Sequence, residues 1–331
     1  MSIIDEIGAV VGPKGLLLGA DVRARPNHSW GQGSCEAQAI VRPASTAEVS
    51  EVMRICHAQN QSVVPWGGLS GLVDGITCSA SDIVLSLERM QAIEHLDDGA
   101  GVMTVQAGAI VQTVQEAAAQ AGWLFAVDFG ARGSARIGGM IATNAGGNSV
   151  VRYGMAREQV LGLEAVLADG TVISSMNEML KNNAGYDVKH LFIGSEGTLG
   201  IVTRAVLRLR PAPRATQTAF VAVDEFPSLL QLLRRLGTEL EGKLSAFEVM
   251  WNSHYHLLVE ETQRHPAFLP THHPYYVLIE AQGANGDHLE AQFTDAMAAL
   301  LEDGHVVDAV IAQSGQHADQ LWAMRDDVEG L

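Results

Sequence analysis

Apolar residues recur at helical or strand spacing along the first two thirds of the chain. Ser45-Thr46-Ala47-Glu48 has the pattern of a capping box, after which Val49, Val52 and Cys56 repeat at helical spacing. This pattern predicts a helix that ends near Asn60. Further apolar runs predict the elements that follow, namely strands over 62–66, 83–87 and 102–106 and a helix over 109–121.

A hairpin and a domain boundary are predicted in the middle of the chain. The apolar runs 160–167 and 171–174 are joined by Asp169-Gly170, and this dipeptide is the strongest short signal for a hairpin. A glycine-rich turn over 194–200 then leads into a β-rich run. Pro211-Ala212-Pro213 ends this part of the chain and indicates a boundary.

Beyond the boundary, strands and helices alternate in a different order. Phe226, Leu229, Leu230, Leu233 and Leu240 are expected on one face of a helix. The predicted order is β-α-β-β-α-β, which is typical of a ferredoxin-like domain. The other elements are strands over 218–223, 247–250, 275–281 and 306–311, a helix around 289–300, and a last helix that opens near Ala318.

Composition and charge narrow the class of protein. The chain has 331 residues, of which 47% are hydrophobic and 18% charged, so it has enough apolar material for two domains. Its formal net charge of −17 disfavours nucleic acid and anionic lipid surfaces as partners. No apolar run approaches the roughly 20 residues of a membrane span. We therefore expect an α+β protein that binds neither nucleic acid nor the bilayer directly.

Cysteine usage predicts a compartment. Cys35, Cys56 and Cys78 form no CxxC pair, and their odd number gives no disulfide framework. This favours a reducing compartment, and we predict the cytoplasm. The first residues are acidic where a signal peptide would be basic.

Glycine is unusually frequent, with 34 residues, and clusters in three places. The clusters are 67–71, the seven-glycine stretch 130–154, and 194–200. Neither GxGxxG after a first strand nor GxxxxGK[ST] is present, which argues against a Rossmann site and a P-loop. Several loops rich in bare amides suit one long, phosphate-containing ligand. Isolated Gly122, Gly170 and Gly304 are interpreted as turns.

Four long motifs carry a resemblance to a known family. The chain resembles the vanillyl-alcohol-oxidase superfamily with its PCMH-type FAD-binding domain, and is most similar to its D-lactate, D-2-hydroxyglutarate and glycolate dehydrogenase branch. The resemblance implies an α+β fold, in which a two-subdomain FAD-binding domain is followed by an incomplete ferredoxin-like substrate (cap) domain. The implied bounds are 1–37 for an N-terminal helical arm, 38–211 for the FAD domain and 212–331 for the substrate domain. The motifs are PWGGLSGLVDG (65–75), DFGARGSARIGGMIATNAGGNSVVRYG (128–154), VLGLEAVLADG (160–170) and NNAGYDVKHLFIGSEGTLGIVTRAVLRLRP (182–211).

The resemblance also implies which residues hold FAD. Leu69 and Ser70 stand where some relatives attach the flavin to a histidine, so we expect non-covalent FAD. Trp66 departs from the polar residue that is common in relatives. The implied cofactor-binding residues are Pro65, Trp66, Gly67, Gly68, Leu69, Ser70, Gly71, Leu72, Asp128, Gly130, Ser134, Ile137, Gly138, Gly139, Thr143, Asn144, Gly146, Gly147, Tyr153, Gly154, Glu196, Gly197, Gly200, Ile201 and Val202.

Arg325, in LWAMR, matches an arginine that binds the substrate carboxylate in this branch. The alternative is a helix arginine paired with Asp326 or Asp327, and Glu248 is either a family acidic position or an ion-pair partner. Arg152 and Arg157 are interpreted as structural ion-pair residues.

Two histidine pairs are candidate metal ligands, but the sequence does not predict a metal site at either of them. His254 with His256, and His272 with His273, lack the HxGDGN-like motif of relatives, so no metal ligand is assigned. The resemblance places that motif, a divalent metal and the catalytic base beyond Leu331, so we expect the sequence to lack the C-terminal part of the enzyme.

The implied reaction is hydride transfer from the α-carbon of a small D-2-hydroxy acid to flavin N5, which yields the 2-keto acid. The expected partners are that substrate, an electron acceptor (an electron-transfer flavoprotein, a quinone or a partner subunit) and a second copy of the chain as a homodimer. Two alternatives stay open. One is a non-catalytic FAD-binding electron-transfer subunit or fragment. The other is a cell-wall sugar-nucleotide reductase, which would oxidise NADPH.

Overall fold

The computed structural model describes residues 1–27 and 33–327. Parts of the predicted helical arm (28–32) and of the predicted substrate domain (328–331) lie outside the described residues. The chain forms two compact units. The first unit is Met1–Gly146 with Met155–Pro211, and the second is Gly147–Gly154 with Ala212–Leu331. The glycine-rich stretch is therefore shared between the units.

The helices comprise twelve α-helical segments within the described residues, besides turns of 3-10 helix at Pro13–Gly15 and Gly130–Gly133 and one of π-helix at Leu257–Glu261. The segments are α1 Ile3–Val11, α2 Ala20–Arg23, α3 Thr46–Ala58, α4 Val111–Gln120, α5 Ile137–Ala142, α6 Val150–Tyr153, α7 Ala156–Gln159, α8 Lys189–Phe192, α9 Phe226–Glu239, α10 Asn252–His256, α11 Gly286–Glu302 and α12 Gly315–Asp326. None of these described helices is long and apolar enough to cross a bilayer.

The strands are β1 Leu16–Leu17, β2 Ala39–Val41, β3 Val63–Trp66, β4 Ile83–Ser86, β5 Ile93–Asp97, β6 Val102–Gln106, β7 Trp123–Leu124, β8 Val160–Val166, β9 Val172–Ser175, β10 Ile201–Arg208, β11 Arg210–Pro211, β12 Ala215–Val223, β13 Leu244–Trp251, β14 Tyr275–Gly283 and β15 Asp308–Ile311. The strands and helices predicted from the apolar pattern are all present. The pattern missed β5, the short strands, α5 to α8 and α10, and the N-terminal helices α1 and α2 were implied only by the resemblance.

The first unit contains two main sheets that share one large apolar core. A four-stranded sheet has the order β1-β2-β4-β3, in which β2, β4 and β3 are parallel. A five-stranded antiparallel sheet has the order β5-β6-β10-β8-β9, and β8 pairs with β9 across the predicted Asp169-Gly170 hairpin. Gly170 has φ +87°, and a Cβ there would lie 2.6 Å from the carbonyl oxygen of Ser50. Only glycine suits that turn.

The N-terminus of α3 confirms the capping prediction in part. The Ser45 side chain accepts a hydrogen bond from the amide of Glu48 at 3.2 Å, as an N-cap serine should. The carboxylate of Glu48 accepts from the amide of Ala44 rather than from that of Ser45. The helix ends at Ala58, two residues before the predicted Asn60.

The second unit has the predicted ferredoxin-like topology. Its antiparallel sheet has the order β13-β14-β12-β15, which follows from the chain order β-α-β-β-α-β. α9 and α11 pack on one face of the sheet, and α12 packs on the other through Leu321 and Met324. Apolar residues on alternate positions of the strands therefore serve two cores.

The predicted apolar face of α9 is correct for Leu229, Leu233 and Leu240 and wrong for Phe226 and Leu230. Leu229, Leu232 and Leu236 are the buried leucines, whereas Leu230 and Phe226 are 59% and 48% exposed. The buried positions repeat every three or four residues and meet the sheet, and Leu230 falls outside this stripe.

Candidate functional site

Two glycine-rich segments of the first unit meet backbone to backbone. A Cβ on Gly68 would lie 2.6 Å from the Cα of Ala135 and still closer to the carbonyl oxygen of Ser134. A Cβ on Gly67 would lie 3.2 Å from the Cα of Gly139. Glycine is therefore required at Gly68 because the loop after β3 lies directly against the residues that precede α5.

The third glycine-rich loop joins the same place. The amide of Gly194 donates to the carbonyl of Ile141 at 3.1 Å, and the amide of Glu196 donates to that of Ala142 at 2.8 Å. A Cβ on Gly197 would lie 2.7 Å from the Pro65 ring. Segments far apart in sequence thus form one cradle, which we define as loop 67–76, segment 128–146 and loop 194–202.

Each part of the cradle contains non-glycine backbone in the left-handed region. Loop 67–76 has Leu69 with φ +56° and Asp74 with φ +53°, segment 128–146 has Asn144 with φ +48°, and loop 194–202 has Glu196 with φ +54°. The left-handed region is uncommon for residues with a Cβ and is costly for a leucine. Such strain concentrates at ligand sites, and here each of the three segments contains at least one such residue.

Loop 67–76 offers successive unused amides. Among the residues that the structure describes, the amides of Gly68, Leu69 and Ser70 form no hydrogen bond. Successive free N–H groups next to a left-handed residue are the elements of an anion-binding nest. Because the amide charge is partial and positive, the loop is chemically suited to a diphosphate.

Polar side chains of the predicted set are mostly engaged within the protein. Asp128 accepts hydrogen bonds from Gln115 and Arg132 at 3.3 and 3.2 Å. The hydroxyl of Thr143 bonds the carbonyl of Gly139, and the side-chain oxygen of Asn144 accepts from the amide of Arg157. Ligand contacts in the cradle would therefore be made mainly by backbone groups.

The predicted residues are distributed over both units. Pro65 and Trp66 end β3, Gly67–Leu72 form the loop behind it, Ile137, Gly138 and Gly139 open α5, and Ile201 and Val202 open β10. Gly147, Tyr153 and Gly154 belong to the second unit. The structure brings together within the first unit Pro65, Gly67, Gly68, Ser134, Gly139, Asn144, Glu196 and Gly197.

A pocket of about 290 Å³ lies in the first unit, at the C-terminal end of α3. Among its lining residues are Pro65, Gly197, Gly200 and Ile201, which the sequence predicted as cofactor-binding. Drug-sized ligands occupy roughly 300–1,000 Å³. The pocket therefore suits one end of a long ligand. The sequence analysis missed the polar residues that also line it, His57, Asn60, Gln61 and Thr198.

The buried Trp66 side chain stabilises loop 67–76 of the cradle. It is 4% exposed, and its indole N–H donates to the carbonyl of Ile76 at 2.8 Å, so it ties together the two ends of loop 67–76. Its ring belongs to a buried cluster with Cys35 and Cys78. The unusual tryptophan thus has a structural explanation.

Burial raises the pKa of two of the cysteine thiols in the first unit. Desolvation raises the pKa of Cys56 to about 11. Desolvation, followed by the hydrogen bond with Cys35, raises the pKa of Cys78 to about 11. The Sγ atoms of Cys35 and Cys78 are 3.3 Å apart, and Asn27 also bonds Cys78. Cys56 and Cys78 are therefore protonated, weakly reactive thiols at neutral pH.

In the second unit, Arg152 and Tyr153 attach α6 to the sheet. Arg152 donates to the carbonyl of Gln282 at 2.7 Å, and the Tyr153 hydroxyl donates to the Gln282 side chain at 3.2 Å. Arg157, in the first unit, donates to the carbonyls of His190 and Ile193. The ion-pair interpretation of Arg152 and Arg157 is therefore wrong, because both guanidinium groups satisfy backbone carbonyls.

Asn148 is a residue that the sequence analysis did not single out. It is 5% exposed, and its side-chain oxygen has no hydrogen-bond partner among residues 1–27 and 33–327. A buried acceptor without a partner is uncommon and is satisfied by ligand or water in most proteins. The signal available in the sequence was an amide residue directly after Gly146-Gly147.

Arg325 is held by carboxylates. Its Nε and Nη2 lie 2.9 and 2.6 Å from one oxygen of Glu248, and its Nη1 lies 3.2 Å from Asp326. The side chains of Arg325 and Glu248 are 29% and 24% exposed. The predicted pairing with Asp326 is present, and the pairing with Glu248 has the better geometry.

The histidine pairs form separate local contacts. His273 lies 2.8 Å from Asp224, and His256 lies 3.3 Å from Glu261. Burial lowers the pKa of His254. Within the described ranges, no group of three or more His, Cys, Asp or Glu side chains is arranged to hold a metal ion.

Two family models match the chain. The model described as "FAD binding domain" matches residues 37–175, and the one described as "FAD linked oxidases, C-terminal domain" matches residues 212–330. The cradle lies largely within the first match, and its free amides and close glycine contacts fit a bound dinucleotide. The match shows an FAD-binding domain, so the predicted cofactor FAD is confirmed.

Two of the similar curated proteins are named D-2-hydroxyglutarate dehydrogenase. D-2-hydroxyglutarate dehydrogenase of Xanthomonas citri pv. viticola is 43% identical over 295 residues, which cover 88% of this chain and 60% of that protein. The mitochondrial D-2-hydroxyglutarate dehydrogenase of Rattus norvegicus is 35% identical over 301 residues, 88% of this chain and 54% of that protein. The chain thus spans little more than half the length of such relatives.

Solved structures share the fold. An alkyldihydroxyacetonephosphate synthase has a TM-score of 0.78 at 20% identity, over 98% of this chain and 64% of that one. A p-cresol methylhydroxylase has a TM-score of 0.74 at 14% identity, over 96% and 68%. The predicted PCMH-type fold followed by a ferredoxin-like domain is therefore confirmed. The chain contains an FAD-binding domain and the C-terminal domain of FAD-linked oxidases, and it is similar to proteins named D-2-hydroxyglutarate dehydrogenase and D-lactate dehydrogenase.

Proposed function

We propose that the protein is an FAD-dependent dehydrogenase that oxidises a small D-2-hydroxy acid to the 2-keto acid. The observation that carries the proposal is that similarity to D-2-hydroxyglutarate dehydrogenases extends over both units, including the substrate-domain match. The proposed domain bounds are 1–37 for the arm, 38–211 for the FAD domain and 212–331 for the substrate domain. D-2-hydroxyglutarate, D-lactate and glycolate are the candidate substrates.

The cradle is proposed to hold the cofactor through its backbone. The amides of Gly68, Leu69 and Ser70 would bind the diphosphate, because they are free and adjacent. The 290 Å³ pocket beside Gly197 and Ile201 would receive the adenine end. When bound, FAD supplies the hydride acceptor. The remaining residues listed from the resemblance are proposed to line the ribityl chain and the ring.

Arg325 is proposed to bind the substrate carboxylate. An arginine presents five N–H donors in a planar fork, and a carboxylate matches two of them. The three contacts to Glu248 and Asp326 use three donors, so two remain available. This contact would orient the α-carbon of the substrate, and orientation supplies a large part of such catalysis. No described residue is proposed as the base that removes the hydroxyl proton.

The partners and the compartment are proposals as well. The electron acceptor would be an electron-transfer flavoprotein, a quinone or a partner subunit, and the chain would form a homodimer. We propose the cytoplasm, because the three cysteines are free thiols. The name of the rat relative places that protein in mitochondria, so fractionation of the native cell is the test.

Anaerobic reduction of the bound flavin tests the function. The FAD-loaded protein is mixed with D-2-hydroxyglutarate, D-lactate or glycolate, and flavin absorbance is followed. We expect bleaching with at least one of these acids, whereas L-2-hydroxyglutarate should have no effect. Bleaching by NADPH alone would instead support a reductase. A flavin that stays oxidised with every hydroxy acid would refute the dehydrogenase proposal for this chain.

A non-catalytic electron-transfer subunit is the second candidate. The favouring observation is that Arg325 is already paired with Glu248, as a purely structural arginine would be. Such a subunit would exchange electrons with dithionite and an artificial acceptor but not with hydroxy acids. Reduction by any hydroxy acid on the time scale of turnover contradicts this candidate.

A further inference from the structure

Two carboxylates on neighbouring strands hold α12 against the sheet. The Trp322 indole donates to Glu280 at 3.0 Å, and Arg325 donates to Glu248 at 2.9 and 2.6 Å. Glu248 lies on β13 and Glu280 on β14. Trp322 and Arg325 are three residues apart, so they lie on one side of the helix. The helix is thereby fixed at two polar points, in addition to its buried Leu321 and Met324.

The Glu280 carboxylate is held in place by several hydrogen bonds. Besides Trp322, its carboxylate accepts hydrogen bonds from Ser245 at 2.9 Å and Gln282 at 3.0 Å. Ser245 is fully buried. The backbone of α12 is thus fixed one turn before Arg325. What remains to be set is the direction of the long arginine side chain.

Glu248 sets that direction. One of its oxygens receives both the Nε and Nη2 hydrogens of Arg325, which fixes one edge of the planar fork. Asp326 makes a longer contact of 3.2 Å to Nη1 and is the next residue in the chain, so it follows any movement of Arg325. Glu248 stands on a different element and provides a fixed reference.

We propose that Glu248 is a positioning residue, which orients the Arg325 guanidinium so that its two unused N–H donors receive the substrate carboxylate. This proposal rests on the proposed function, in which Arg325 binds that carboxylate. The competing interpretation is that Glu248 occupies the carboxylate site of Arg325 and must be displaced. The two interpretations predict opposite signs when Glu248 loses its charge.

The test measures binding directly. Calorimetric titration of the FAD-loaded protein with 2-oxoglutarate, the keto acid of D-2-hydroxyglutarate, gives Kd for wild type, Glu248→Gln, Asp326→Asn and Arg325→Ala. A neutral amide holds a guanidinium less strongly than a carboxylate does. We therefore expect Kd to rise about fivefold or more in Glu248→Gln, and by less than about twofold in the matched control Asp326→Asn. FAD affinity should be unchanged in both variants.

The outcomes distinguish a failure of the positioning role of Glu248 from a failure of the carboxylate-binding role of Arg325. A fall in Kd, or no change, in Glu248→Gln overturns the positioning role, provided that Arg325→Ala weakens binding. Unchanged binding in Arg325→Ala overturns the carboxylate role of Arg325 and with it the positioning role, whereas hydroxy-acid turnover still tests the dehydrogenase itself. Glu248→Asp, which keeps the charge, should recover part of the lost affinity, and thermal unfolding of all variants shows that they are folded.

Discussion

The contact of Gly68 with the residues that precede α5 offers a sharp test of the cradle. In Gly68→Ala, the new Cβ would lie 2.6 Å from the Cα of Ala135 and closer still to the carbonyl oxygen of Ser134. These are backbone atoms, so no rotamer change relieves the clash. Loop 67–76 must move outward, and overpacking of this kind costs ~1–3 kcal/mol. If the cost falls on the conformation that binds FAD, Kd rises roughly 5- to 150-fold.

Gly75 is a matched control for both stability and FAD binding, and Gly71 is a control for stability alone. Gly71 and Gly75 have no atom within 4 Å of an added Cβ, and neither has a positive φ. Gly75→Ala should therefore leave both stability and FAD affinity unchanged. Gly71→Ala should leave stability unchanged but weaken FAD, because its Cβ would enter the space that we propose for the diphosphate.

Fluorescence titration with FAD and thermal unfolding of the apoprotein distinguish these effects. Gly68→Ala should weaken FAD binding and lower Tm by roughly 2–12 °C, since ~1 kcal/mol corresponds to about 2–4 °C in a domain of this size. The reasoning is refuted if Gly68→Ala binds FAD with the wild-type Kd. It is also refuted if Gly75→Ala weakens binding as much as Gly68→Ala does.

Two further predictions concern buried side chains. Trp66→Phe removes a buried hydrogen bond and leaves a small cavity, so it should lower the free energy of unfolding in urea by ~1–3 kcal/mol and weaken FAD binding. In the control Trp123→Phe, the lost indole hydrogen bond is to an exposed aspartate, so the loss of stability should be smaller. Equal losses in the two variants would contradict this prediction. For Cys56 and Cys78, a folded pKa of about 11 leaves roughly one thiolate in a thousand at pH 8. Alkylation by iodoacetamide should therefore accelerate about tenfold per pH unit up to pH 11. Because these pKa values are raised on folding, their stabilising contribution is present at neutral pH and is lost as pH rises towards 11. Rapid alkylation of both thiols in the native protein at pH 8 would contradict the burial argument.

The overall architecture could be predicted because local patterns were strong. The β-α-β-β-α-β alternation beyond Pro213 led to the correct sheet order, since that chain order has one common sheet arrangement. The Asp169-Gly170 hairpin was correct because glycine at a left-handed turn position is a local requirement. Patterns that act over a few residues can be read from one sequence.

Side-chain partners could not be predicted in the same way. On α9, leucines fall on two adjacent stripes, and only the position of the sheet decides that Leu232 and Leu236 are buried while Leu230 is exposed. Arg152 and Arg157 look like ion-pair residues in the sequence, yet backbone carbonyls of distant segments satisfy them. Such partners are set by tertiary packing.

The sequence predicted which glycines form the candidate site, but it did not predict the contacts that require glycine there. The clusters suggested backbone approach to a ligand, but Gly68 is needed because another loop touches it. The strained φ of Leu69 and the role of Trp66 behind the loop had no signal in the sequence. The substrate role of Arg325 stays a prediction, because its observed partners are carboxylates of the protein itself.

Retention of FAD by the purified protein tests the central claim most directly. The protein is incubated with excess FAD, desalted, and the flavin is quantified before and after denaturation with acid. The cradle predicts about one FAD per chain, all of it released into the acid supernatant, because the three segments of the cradle contain no histidine and the cysteines are buried. A protein that retains no flavin, or that keeps flavin attached after denaturation, would contradict the account.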